Sequence, residues 1–220
     1  MLLAAIAVLL IAGITSAGLR GVADVSYVSA RHAIAQWTRA RQSPGPQQWR
    51  GARDALVSAR NLEPDNPLFV EELGRLYELR TRGLDSKLPV VRAFLSRALE
   101  EFRRAAHMRP ASPITWANIA LVKYRLGALD AEFYAAAQRA ARLGPWEPGV
   151  QRVLSEIGAN AWSALSPRGR TLSVAAAERG LEMQPREMAR ILASGVERAA
   201  FCAGVSAQAP RTALACSRLK

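Results

Sequence analysis

The sequence predicts an all-α chain, a solenoid of helical hairpins following an N-terminal transmembrane helix. Two observations predict it. From Met1 to Leu19 the chain carries no charge before it meets Arg20, which is about the length a helix needs to cross the hydrocarbon core of a membrane. Further on, four runs with small residues at helical spacing each close on a proline: ARDALVSARNLEP at Pro64, ALEEFRRAAHMRP at Pro110, AAQRAARLGP at Pro145 and AAAERGLEMQP at Pro185. Ala59, Ala105, Ala140 and Gly180 precede these prolines by one constant interval, so the repeat is locked by its end.

Residues 1–19 read as an uncleaved anchor in preference to a cleaved signal. No basic residue precedes the apolar run, and Thr15-Ser16-Ala17 is a weak cleavage site. No cysteine follows directly to accept a lipid. Orientation is contested, because Arg20, Arg31, Arg39, Arg41, Arg50 and Arg53 crowd the C-terminal flank and favour keeping it in the cytoplasm. Long domains nevertheless translocate despite their charge, and a periplasmic domain on a single-pass inner-membrane anchor is the expectation. Residues 20–45 form a linking helix, ended by Ser43-Pro44-Gly45-Pro46, that pairs with ARDALVSARNL as an imperfect first hairpin. Residues 46–185 carry the repeats, with longer turns expected at LDSKLPV and at Ser166-Pro167-Arg168-Gly169. Residues 186–220 supply a capping helix, REMARILASGVERAAFCAG, and a short basic tail.

After each proline comes the other half of the unit. PLFVEELGRLYELRTRG places Leu73-Gly74 before Tyr77, PITWANIALVKYRLG places Trp116 before Ile119-Ala120, and PGVQRVLSEIGANAW follows with Val153-Leu154-Ser155. The pattern resembles the tetratricopeptide repeat, most specifically from Pro67 to Pro145. Small residues at Gly74, Ala98, Ala105, Ala120 and Ala140 let helices approach; Leu73, Tyr77, Phe102, Trp116 and Leu143 are expected to fill the space between hairpins. The resemblance also implies a concave face. Positions matching its usual ligand-facing ones are Glu71, Arg75, Glu78, Asn118, Tyr124, Arg125, Arg152 and Asn160. Their mixture suits an extended anionic partner.

The net charge of +12 favours anionic partners in general, among them acidic polysaccharide. No motif for nucleic acid is present, and no nucleic-acid partner is expected. The chain lacks a phosphate-binding glycine loop, HExxH, GxSxG and CxxC, so an enzyme is not expected. Glu71-Glu72, Glu100-Glu101 and Asp130-Glu132 lie among arginines, and Glu71 with Arg75 and Glu100 with Arg104 read as helical ion pairs. His32 and His107 are isolated, which leaves no metal site, and no cofactor is implied. Cys202 and Cys216 close a loop by a disulfide if the domain is exported. In the turn Arg142-Leu-Gly-Pro-Trp-Glu-Pro148, Gly144-Pro145 stops one helix and Pro148 starts the next. Trp146 is expected to pack back onto its hairpin, the alternative being an exposed anchor for a partner.

Taken in order, the apolar segment, PQQWRGARDALVSARNLEPDNPLFVEELGRLYELR, FRRAAHMRPASPITWANIALVKYRLGALDAEF and RAARLGPWEP resemble the VpsP-type proteins of bacterial exopolysaccharide gene clusters. Similar repeat segments follow the ligase domains of some O-antigen ligases. The resemblance implies a membrane-tethered, non-catalytic repeat domain that assists polysaccharide assembly or export. Its partners would be membrane proteins of that machinery.

Overall fold

A computed structural model describes residues 2–40, 42–206 and 208–218. Among these the chain is built from helices: α1 Leu2–Ala40, α2 Pro46–Leu62, α3 Pro67–Leu79, α4 Pro89–Met108, α5 Pro113–Arg125, α6 Ala131–Leu143, α7 Pro148–Ala161, α8 Pro167–Met183, α9 Pro185–Ser194, α10 Arg198–Ala203 and α11 Pro210–Ser217. Eight of these eleven begin with proline. That position needs no N–H partner, and the ring presets the helical φ angle. Proline therefore starts helices in this chain more often than it ends them, and Pro185 is the first residue of α9 as well as the close of α8.

The helices pair along the chain as hairpins, α1 with α2, α3 with α4, α5 with α6 and α7 with α8. They divide into two compact units, residues 1–108 and 109–220, so α2 to α4 of the expected repeat region fall in the first and α5 to α8 in the second. In each unit one hairpin turns at a glycine with positive φ, Gly83 at 74° and Gly127 at 75°. At Gly127 the reason is visible: the N–H of Ala128 returns to the carbonyl of Lys123, 2.9 Å away, so the glycine must adopt the left-handed conformation to end α5.

The first unit centres on Leu56, Phe69, Leu73 and Leu76, all fully buried. Tyr27 stacks on Phe69, and Trp49 packs against both Tyr77 and Phe94. The indole N–H of Trp49 donates to the Leu76 carbonyl at 3.2 Å, tying α2 to α3. Gly74 lies directly under the Phe102 ring, where an added Cβ would sit 2.8 Å from ring atoms. In the second unit Trp162, Leu192, Phe201 and Cys216 share a cluster.

Four expectations need correction. The anchor and the linking helix are one uninterrupted helix, α1, because nothing between Leu19 and Arg31 breaks helical geometry. Ser166-Pro167 is no lengthened turn: the Ser166 hydroxyl accepts from the Gly169 N–H and Pro167 is the first residue of α8. The C-terminal cap is three helices instead of one. It breaks at Gly195, where any Cβ would lie 2.5 Å from the Ala159 carbonyl oxygen, and the chain docks there as Val196 and Glu197 donate to the Asn160 side chain and the Ala159 carbonyl. Leu143, expected to pack between hairpins, is 39% exposed, since it lies on the outer side of the last turn of α6.

Among the described residues no helix is long and apolar enough to cross a membrane. The side chains of residues 1–5, 7–9, 12 and 16, most of the expected anchor, lie outside the described set.

Candidate functional site

The turn after α6 is built as its residues dictate. The Gly144 N–H bonds to the Ala140 carbonyl and ends the helix, while Pro148 opens α7. Gln151, fully buried one turn into α7, reaches back and donates from Nε2 to the carbonyls of Gly144 and Pro145, at 3.2 and 2.7 Å. Gly144 is held against Pro113, leaving only 2.6 Å for a Cβ. A rigid support thus presents Trp146, which is 56% exposed. The expected packing of the indole onto its hairpin is not what the structure has: the ring stands outside, on a turn whose carbonyls Gln151 holds.

The eight groove candidates fall in both units. In the first, Glu71 and Glu78 are buried and Arg75 is exposed. Arg75 bonds to Glu72 at 3.4 Å, and Arg82 bonds to Glu78 at 3.1 Å. Burial raises the Glu72 carboxyl above its ordinary value, with Arg75 and Arg31 opposing. Glu100 likewise pairs with Arg97, three residues before it, and Glu101 with Arg60 across α2 and α4.

In the second unit Arg152 is exposed, while Asn118, Tyr124, Arg125 and Asn160 are half-buried. The Asn118 amide nitrogen is shut from solvent with no partner. Burial pushes the Tyr124 phenol up, and nearby Glu156 adds to it. Asn160 is engaged structurally: its Nδ2 donates to the Glu156 carbonyl at 2.8 Å and its Oδ1 accepts from Val196 at 3.0 Å. Asp130 and Glu132 do converge, but on Lys123, whose Nζ lies 2.7 and 2.6 Å from them. Asp130 also caps α6 by accepting from the Phe133 N–H. The Lys123 bond holds the Asp130 carboxyl below its ordinary value, with the Phe133 N–H assisting. Among the described residues no three His, Cys, Asp or Glu side chains gather as a metal site would need.

Cys202 and Cys216 are bonded, their Cα atoms 5.5 Å apart, joining α10 to α11. Glu178 of α8 fastens the same helix. Its carboxylate accepts from the backbone N–H groups of Arg211 and Thr212 in the first turn of α11, as well as from their side chains. Burial alone would raise this carboxyl, but these bonds outweigh it and leave it below its ordinary value.

An open cleft of about 640 Å³ lies between α8 and the residues that lead into α11, lined by Trp162, Arg170, Val174, Glu178, Arg179 and Gly204 among others. Sequence reasoning missed it. Arg179 sits in AAAERGLEM, whose only visible signal is the small-residue period, and its place in a cleft depends on residues from Gly204 to Ala209, far along the chain. Comparison of the chain with protein-family models and with curated protein sequences finds no match.

Proposed function

We propose that the chain is a membrane-anchored scaffold of tetratricopeptide-like hairpins, non-catalytic, that assists exopolysaccharide assembly or export by holding partner proteins of the inner membrane. The observation that carries the anchored part is the surface of the N-terminal half of α1. Ile6, Leu10, Ile11, Ile14 and Leu19 are all exposed and point in several directions around the helix. A helix apolar all round is not stable in water and is matched by lipid. The scaffold part draws on the paired helices and on Trp146, a large exposed indole on a braced turn, which is the residue type most often central to protein contacts. The polysaccharide assignment rests on the ordered sequence segments that resemble VpsP-type proteins. The disulfide favours placing the domain in the periplasm, where such bonds persist.

Two experiments test this reading. A reporter enzyme active only outside the cytoplasm, fused to the C-terminus, should be active, and the chain should stay with membranes through alkaline extraction. Activity of a cytoplasmic reporter instead, or release at high pH, overturns the anchored periplasmic placement. Crosslinking in intact cells should then trap membrane proteins of polysaccharide assembly on a photoreactive residue at position 146, and labelling of none of them removes the scaffold assignment.

A further inference from the structure

We propose that the cleft between α8 and the segment joining α10 to α11 binds a small ligand through an oxyanion, a carboxylate or a phosphate, held by the Arg179 guanidinium. The volume, about 640 Å³, lies within the roughly 300–1,000 Å³ of small-molecule sites. The charges around it sort into engaged and unengaged ones. Glu178 has both carboxylate oxygens bound by Arg211 and Thr212. Arg170 donates to the carbonyls of Trp162 and Ser163 and lies over the Trp162 ring at 5.4 Å. Arg179 remains. Its Nε is shut from solvent with no acceptor.

The side chain is half-buried, so its guanidinium has lost part of its hydration, and a hydrogen bond to an anion in the cleft would replace it. The planar fork of arginine matches carboxylate and phosphate oxygens two at a time. Its partial burial also pushes the guanidinium pKa down from its ordinary value. The remaining lining is mixed as a sugar ring would need, with Val174 and Ala175 on the helix and Ser206 and Gln208 opposite. Sugar acids and sugar phosphates share this chemistry. The inference stands apart from the scaffold reading, since it uses neither the anchor nor Trp146.

Calorimetric titration of the detergent-solubilised chain with glucuronate, glucose 1-phosphate and uncharged glucose tests it. One or both anions should bind, glucose should not, and added salt should weaken the binding. Glucuronate alone identifies a carboxylate site, and glucose 1-phosphate alone a phosphate site. Arg179→Gln should weaken binding roughly tenfold or more, the loss of one charge-assisted pair, whereas Arg142→Gln on the exposed end of α6 should not. On the wild-type chain the bound anion should shield Arg179 from phenylglyoxal while Arg142 stays reactive, a readout that does not depend on the variant folding. Silence with both anions, or unchanged labelling of Arg179, overturns the proposal.

Discussion

In residues 1–108 helices of 13 to 39 residues meet through large side chains, with Tyr27 on Phe69, Trp49 between Tyr77 and Phe94, and Phe102 over Gly74. In residues 109–220 the helices shorten to six, eight and ten residues at the C-terminal end. There they are joined by Asn160, Glu178 and a disulfide. Helices this short are marginal by themselves in water, so their position has to be specified by ties as well as by burial. The contrast teaches that one unit is sensitive to lost volume and the other to lost connections.

The largest test of that contrast is Phe102→Ala, which should destabilise the first unit by about 3–5 kcal/mol through the cavity left over Gly74. Hydrogen exchange should show α3 and α4 losing protection, and equal loss in α10 and α11 would erase the distinction. Next, Cys202→Ser with Cys216→Ser should cost about 2–3 kcal/mol, the value for a short closed loop, read as exchange confined to α10 and α11. Gly195→Ala should follow at about 1–3 kcal/mol, since the new Cβ meets the Ala159 carbonyl, a backbone group that cannot swing away.

Acid separates the units by sign. Glu178 and Asp130 of the second unit have carboxyls lowered in the folded state, so their contribution is present above the ordinary values of 4.5 and 3.8 and is lost as pH falls through the folded ones. Glu72 and Glu101 of the first unit are raised by burial, so their contribution is present below 4.5 and lost as pH rises through the folded values. Acidification below the ordinary range should therefore loosen α11 before α3, and amide exchange across that range decides it. The smallest effect on stability is expected at Trp146→Ala, within about 0.5 kcal/mol for an exposed residue. A larger loss would mean that the indole supports the turn after all.

The residues whose role depends on near neighbours were legible in the chain. Proline and glycine punctuation marked the starts of α5 and α7 and the ends of α5, α6 and α8, because ring closure and a missing Cβ act on the backbone locally. The small residues Gly74, Ala98, Ala105, Ala120 and Ala140 are all buried, and at Gly74 the close approach is visible, an added Cβ standing 2.8 Å from the Phe102 ring. Ion pairs were harder: Arg75 takes Glu72, one position along from Glu71, since three-residue and four-residue spacings both bring side chains together on a helix.

What the tertiary structure alone decided concerns residues whose environment arrives from far along the chain. Trp146 stands outside on a turn that Gln151 braces from within α7, and Asn160 is drawn into docking the break at Gly195. The cleft at Arg179 has residues from Gly204 to Ala209 as its second wall, a segment held between the Cys202–Cys216 bond of α10 to α11 and the tie of Glu178 on α8 to the start of α11. Local sequence determines where helices start and stop through backbone sterics. Which charges end up buried or unpaired is set by distant packing, where desolvation acts and no periodicity records it.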